Sequence, residues 1–259
     1  MEKIFENKAP GFCYTRVGNP TVTAFENRIT KLEGGIASIA CASGMAALMN
    51  AFLNILRSGN EIVSSASLYG GTIDLFTDLE AFGITTRYVE NNNWEQIEGA
   101  INEHTRLVFA ETIGNPCLDV TDIEKLAEIA HAHELPLIVD NTTSTPYLIQ
   151  VLKHGADIVV NSSSKYINGS SNSISGVLTD GGKFKWKKEK YPGLADYLKF
   201  GPMAFIAKLR NGLFRNTGAC LAPVNAYLNV IGLETLGLRM ERQCNNAAAL
   251  AKWIEETYP

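Results

Sequence analysis

"ADIVVNSSSKYINGSS", residues 156–171, joins two kinds of sequence. Its first half, Ala156 to Val160, is an apolar run interrupted only by Asp157. A short run of β-branched residues without polar alternation is the pattern of a strand buried on both faces. Its second half has no such run: three consecutive serines, then Lys165, then the turn-forming pair Asn168-Gly169. The same change from apolar run to polar loop recurs upstream. "SIACA" (38–42), "EIVSS" (61–65), "TTRYVE" (85–90), "RLVFAET" (106–112) and "PLIVD" (136–140) all read as strands. Between them lie segments of helical spacing: "SGMAALMNAFLNIL" (43–56), "DLFTDLEAFG" (74–83) and "TDIEKLAEIAHAH" (121–133). The last carries Thr121 as N-cap and Glu124 three residues on, a capping box. Such strands alternating with helices predict an α/β fold, a mostly parallel sheet covered on both faces. From about Asn225 the pattern is helical to Pro259, and a helix leaving an α/β domain at the last residue leads one to expect that something follows.

The bulk properties narrow the class of function. The chain has 259 residues, is 46% hydrophobic and 19% charged, and carries a formal net charge of -4. That is the profile of a globular protein with a substantial core, and it has no basic stripe of the size nucleic acid requires. The one cationic cluster, "KFKWKKEK" (183–190), reads as a solvated surface loop. Five scattered cysteines form no CxxC pair, which argues against a disulfide scaffold and against zinc and fits a reducing, cytoplasmic setting. The N-terminus has no signal-peptide core, and no stretch reaches the roughly 18 apolar residues of a membrane span. The four histidines include no HExxH, and none is given a catalytic or metal-binding role.

The chemistry is concentrated where the strands end, because ligands of an open parallel sheet gather beyond the carboxyl ends of its strands. After "SIACA", Ser43-Gly44-Met45 opens a helix whose first amides favour an anion. After "RLVFAET" comes Asn115, a donor and an acceptor in one side chain. Asp140 closes a strongly apolar strand, where a carboxylate needs a partner. After "ADIVV" come Ser162, Ser163, Ser164 and Lys165. Each feature alone is more commonly a turn, a cap or a solvated loop residue. Together they match the needs of one cofactor, pyridoxal 5'-phosphate (PLP). Its aldehyde forms a Schiff base with a lysine, its pyridinium nitrogen takes a carboxylate, and its phosphate takes helix amides and hydroxyls. Its ring takes an aromatic face, for which Tyr69 in "SLYGGT" is placed.

With these residues in view, the sequence resembles the Cys/Met-metabolism PLP-dependent enzymes. The matching stretches, in order along nearly the whole chain, are "YTRVGNPTV" (14–22), "ACASGMAA" (40–47), "SLYGGT" (67–72), "ETIGNP" (111–116), "IVDNTTSTP" (138–146), "SSSKYINGSS" (162–171) and "NVIGLETLGLRMERQCNNA" (229–247). Within the family the extended segment 191–226 makes it most similar to the O-acetylhomoserine sulfhydrylases, and Gly71 stands where methionine γ-lyases tend to carry cysteine. It departs from the common pattern at Asn161, Gly169-Ser170, Asn216 and Ala222.

The resemblance implies the aspartate-aminotransferase-like PLP fold (fold type I). It implies an arm over 1–20 that reaches a neighbouring subunit, a PLP-binding large domain over 21–225, and a helical connector over 226–259. Relatives longer at both ends imply a further N-terminal part and a C-terminal domain bearing the arginine that grips the substrate carboxylate. For the site it implies Lys165 as Schiff-base lysine and proton shuttle, Asp140 on the pyridinium nitrogen, and Tyr69 on the ring and in acid–base work. Gly44, Met45, Ser162 and Ser164 would hold the phosphate, Thr142 and Asn115 would line the ring, and Tyr14 and Arg16 would reach the phosphate of a neighbouring subunit in a dimer of dimers. The activity implied is γ-replacement on O-acetyl-L-homoserine by sulfide or a thiol, giving homocysteine or methionine and acetate. The alternatives left open are a γ- or β-lyase and a cofactor-binding fragment without complete catalysis.

Overall fold

The structure, a computed structural model, describes Ile4 and residues 11–258. Its centre is a seven-stranded sheet in the order β1-β7-β6-β5-β4-β2-β3. The strands are β1 (Ala37–Cys41), β2 (Glu61–Ser65), β3 (Thr85–Val89), β4 (Thr105–Glu111), β5 (Leu137–Asp140), β6 (Ile158–Asn161) and β7 (Gly176–Asp180). All run parallel except β7, which pairs antiparallel with both β1 and β6.

Alternate residues of the central strands feed opposite cores, which is why β4, β5 and β6 carry long apolar runs, whereas the edge strand β3, TTRYV, is largely exposed. In β4, Leu107 and Phe109 point into one core while Val108 and Ala110 point into the other, and in β5 Ile138 opposes Leu137 and Val139. The first core is closed by helices α2 (Gly44–Ile55), α3 (Gly70–Glu80) and α7 (Ala204–Asn211). There the Phe109 ring meets Phe52 edge-on at 5.3 Å and Phe76 at 5.7 Å. Such pairs contribute about 0.5–1.5 kcal/mol each beyond the burial of their area. The opposite face is covered by α4 (Trp94–Ala100) and α5 (Ile123–Ala132), and towards β1 and β7 by α1 (Pro20–Glu33) and α9 (Pro223–Leu233). The short helices α6 (Thr145–Leu148) and α8 (Leu213–Thr217) are connectors, and α10 (Leu236–Thr257) ends the described chain.

Two local readings need correction. The cap of α5 is Asp122, whose carboxylate accepts from Lys125 N–H at 3.0 Å. Thr121 is drawn away because its hydroxyl donates to the Glu111 carbonyl at 2.7 Å, and Glu124 turns outward to His154 instead of back to the cap. The segment 183–190 is not simply solvated. Lys185, Lys187 and Lys188 are exposed, but Trp186 stacks on Phe205 at 5.6 Å and meets Tyr191 edge-on at 5.0 Å, so the aromatics anchor the loop on the first core.

Candidate active site

The carboxyl ends of β1, β4, β5 and β6 surround a cleft of about 380 Å³. Nine of the sequence-predicted residues line it: Gly44, Met45, Tyr69, Asn115, Asp140, Thr142, Ser162, Ser164 and Lys165. Local sequence explains each placement. Ser43 caps α2, accepting Ala46 N–H on its hydroxyl at 3.0 Å and Ala47 N–H on its carbonyl at 3.0 Å. The first-turn amides of Gly44 and Met45 keep the positive end of a twelve-residue helix turned to the cleft. Residue 44 must be glycine for this approach, because a Cβ there would stand 2.7 Å from Ser162 Cβ.

Thr142 ties two strand ends together. Its N–H donates to Asp140 Oδ1 at 2.9 Å, and its hydroxyl oxygen accepts Ser162 N–H at 2.7 Å. Asp140 is half-buried in the cleft lining, and burial pushes its carboxyl up against the opposing bonds from Thr142. Ser164 differs from Ser162: its hydroxyl donates to the Ser175 carbonyl at 2.9 Å and accepts Ser175 N–H at 2.8 Å, so its one proton is engaged within the loop. Tyr69, half exposed, starts α3, and its ring lies over Gly71, where a Cβ would come within 2.5 Å of the ring. Lys165 is exposed in the cleft.

Tyr14 and Arg16 do not reach this cleft. The Arg16 guanidinium lies 5.0 Å from the centre of the Tyr14 ring and donates to the Arg215 carbonyl at 2.6 Å.

The profile of the Cys/Met metabolism PLP-dependent enzymes matches residues 1–258. The chain belongs to that family. Among Cys/Met metabolism PLP-dependent enzymes it is 44% identical to an O-acetyl-L-homoserine sulfhydrylase of Corynebacterium glutamicum, over 94% of this chain and 60% of the relative. The O-acetylhomoserine sulfhydrylase structure of Wolinella succinogenes superposes with a TM-score of 0.87 at 44% identity, covering 94% of this chain and 72% of that one. A Campylobacter jejuni structure described as an O-acetylhomoserine (thiol)-lyase, 33% identical with a TM-score of 0.91, carries N'-pyridoxyl-lysine-5'-monophosphate. It covers all of this chain and 67% of that one. The chain spans about three-fifths of the length of the curated relatives it matches.

The residues present fit the family's cofactor. Two first-turn amides and the Ser162 hydroxyl form an anion cradle that only glycine permits, and a half-buried carboxylate faces the same space as an amine and an aromatic ring.

Two site residues escaped the sequence reading. Glu111 ends β4 inside the cleft, and its Oε1 accepts Tyr69 N–H at 2.8 Å. Burial first, and the neighbouring Asp140 second, raise its carboxyl to about 8 against bonds from Tyr69 and Asn115 N–H. The available signal was the one used for Asp140, a carboxylate closing an apolar strand, blurred here by Thr112, which extends the strand-like run. Glu33, the last residue of α1, is fully buried behind the cleft and accepts Asn161 Nδ2–H at 2.7 Å. Its Oε2 and the Oδ1 atoms of Asn141 and Asn161 have no partner among the described residues. Burial lifts this carboxyl to about 7, against the bond from Asn161 first and the Asn141 amide second. Glu33 therefore braces the residues next to Asp140 and Ser162.

Proposed function

We propose that this chain forms the cofactor-binding part of an O-acetylhomoserine sulfhydrylase, a cytoplasmic enzyme that replaces the acetyl ester of O-acetyl-L-homoserine by sulfide or a thiol. The observation that carries the reading is the convergence of Lys165, Asp140, Tyr69, Ser162 and the N-terminus of α2 on one cleft at the strand ends.

Gly44, Met45 and Ser162 hold the phosphate. Ser164 would join them only if its hydroxyl left the Ser175 carbonyl to which it donates. Asp140 holds a proton on the ring nitrogen, and Thr142 orients that carboxylate and lines the ring with Asn115. Tyr69 covers the ring face, with its backbone fixed by Glu111. PLP, when bound, supplies the electron sink that accepts the charge left when a proton leaves the substrate's α-carbon. The Lys165 amine carries that proton and the second one lost from the β-carbon. Acetate then leaves from the γ-carbon and sulfide adds there, so O-acetylhomoserine and hydrogen sulfide give homocysteine and acetate. A depression of about 700 Å³, lined by Leu118, Tyr166, Ser173 and Gln243, opens beside Lys165 and gives the amino acid its approach. Tyr14 and Arg16 belong to the phosphate site of a second subunit, which makes the enzyme a homo-oligomer, a dimer of dimers.

The test combines spectroscopy with product analysis. Protein saturated with PLP and freed of excess should be yellow, and Lys165→Ala should lose the lysine-dependent visible band. Added O-acetylhomoserine and sulfide should yield homocysteine and acetate. A colourless wild type removes the cofactor site from this chain. Release of a 2-oxo acid and ammonia in place of homocysteine assigns elimination, the lyase chemistry, to the same cleft.

A further inference from the structure

Cys41 and Cys220 face each other across an isolated antiparallel bridge between the end of β1 and the segment before α9. Ala42 N–H donates to the Ala219 carbonyl at 2.8 Å. In an antiparallel ladder, a bond between the residues that flank a pair in this way marks the narrow, non-hydrogen-bonded kind, with Cα atoms about 4.5 Å apart and side chains on the same face. That spacing falls inside the range of about 4.4–6.8 Å that disulfides span. Both thiols are free, and both sit in the first core, Cys41 fully buried and Cys220 partly so. Cys13, Cys117 and Cys244 have no bridge partner among the described residues.

We propose that Cys41 and Cys220 form a redox site that closes to a cross-strand disulfide when the protein meets a low-molecular-weight disulfide. The order of reaction follows from exposure. Burial pushes the Cys41 thiol well above its ordinary range, so Cys41 is a poor first attacker. Cys220 is the reachable partner. Its thiolate attacks one sulfur of glutathione disulfide and releases one glutathione, leaving a mixed disulfide beside Cys41. Cys41 passes its proton to the departing glutathione sulfur as its own sulfur displaces that glutathione from Cys220, and the cross-strand bond forms. The balance is two protein thiols plus one glutathione disulfide giving one protein disulfide plus two glutathiones.

The location gives the bond a consequence. Cys41 lies immediately before Ala42-Ser43-Gly44, the lead into the anion cradle, and Cys220 lies between Gly218 and α9. The bridge therefore fastens the start of the cleft to the 218–222 segment. It closes a loop that contains β2 to β7 and Lys165, and loops of that length constrain the unfolded chain strongly.

The test does not depend on cofactor or turnover. Native protein is equilibrated with glutathione disulfide, its remaining thiols are alkylated, and it is digested and examined by mass spectrometry. The expected product is a Cys41–Cys220 peptide pair lighter by two hydrogens than its separate halves, reversed by dithiothreitol. With it comes a rise of several degrees in the unfolding midpoint. Cys41→Ser should stop at a glutathione on Cys220, and Cys220→Ser should leave Cys41 unmodified. Wild type that accumulates glutathionylated Cys220 without the cross-link, or that keeps both thiols free at equilibrium, overturns the proposal. So does a cross-link that forms only in guanidinium-unfolded protein.

Discussion

Asp140 illustrates how one side chain ties stability to function. Its carboxylate closes an apolar strand, its one bonded oxygen takes Thr142 N–H, and burial pushes its carboxyl up. A buried carboxylate in this condition gains from a cation placed against it, and truncating one member of a buried charge pair costs about 2–5 kcal/mol. Asp140→Asn should therefore bind PLP about 30-fold to several thousandfold more weakly, since 1.4 kcal/mol is tenfold. It should unfold no more easily than wild type when both lack cofactor. Equilibrium titration with PLP and a melt of the cofactor-free proteins test both halves, and an unchanged affinity would remove Asp140 from the ring nitrogen. Asp140 was legible because "PLIVD" ends in a charge that its strand cannot solvate. Glu111 ends "RLVFAE" in the same way, but Thr112 extends the strand-like run past it, so its place at the strand end is not evident from the sequence. The engagement of the Ser164 proton was not legible, since it depends on Ser175 folding back from eleven residues away.

At the level of elements, the segment after β6 is held from outside by α10. Arg239 donates through Nη1 to the Tyr166 carbonyl at 2.7 Å, through Nη2 to Gly232 at 2.8 Å and Ile167 at 3.5 Å, and through Nε to Thr235 Oγ1 at 3.0 Å. Tyr166 and Ile167 are the first residues after Lys165, so the clamp fixes the base of the lysine. Its acceptors are backbone carbonyls and a hydroxyl, which makes it a structural cation rather than a substrate ligand despite its place beside the approach to the cleft. A lysine cannot copy a planar fork across several acceptors. Arg239→Lys should lose on the order of 1–3 kcal/mol through carbonyls left without donors. It should also speed amide exchange in 165–169 while exchange in β4 and β5 stays slow. Uniform acceleration across the sheet would mean that Arg239 supports the whole fold instead of this loop. The central strands β4, β5 and β6 were readable from sequence because burial on both faces leaves uninterrupted apolar runs, whereas β7 was not legible as a strand at all. Nor was its antiparallel course, because "GVLTD" has no feature that sets its direction, and the cap at Asp122 was decided by a tertiary acceptor for Thr121.

For the whole molecule, Tyr14 and Arg16 are the test of assembly. Arg16 lies against Arg215 and Gly218 in its own subunit with Tyr14 beside it, outside the cleft, so their proposed work is done on a neighbour. Arg16→Ala should weaken PLP binding about tenfold in the oligomer and have no effect at dilutions where sedimentation shows monomer. A loss that is the same at every concentration would place the arginine's role within one chain. Acidity also acts on the whole fold. Burial raises Glu33 and Asp180 to about 7, and burial with the Asp140 charge raises Glu111 to about 8. A carboxyl whose folded pKa lies above its unfolded value binds its proton more tightly when folded. Its stabilising contribution is complete below the unfolded pKa, about 4.5 for glutamate, and is lost as pH rises through the folded one. Carboxylates held low, such as Glu61 beside Arg87, finish titrating below that window and leave its sign unchanged. The cofactor-free protein should therefore lose stability steadily from pH 5 to pH 8, with Glu33 alone contributing about 3 kcal/mol of the decline at about 1.4 kcal/mol per pH unit. Glu33→Gln isolates that share, because glutamine keeps an acceptor for the Asn161 amide and does not titrate. Its urea midpoints should run flatter than those of wild type and cross above them towards pH 8. Parallel profiles for the two proteins would show that Glu33 does not change protonation between pH 5 and pH 8.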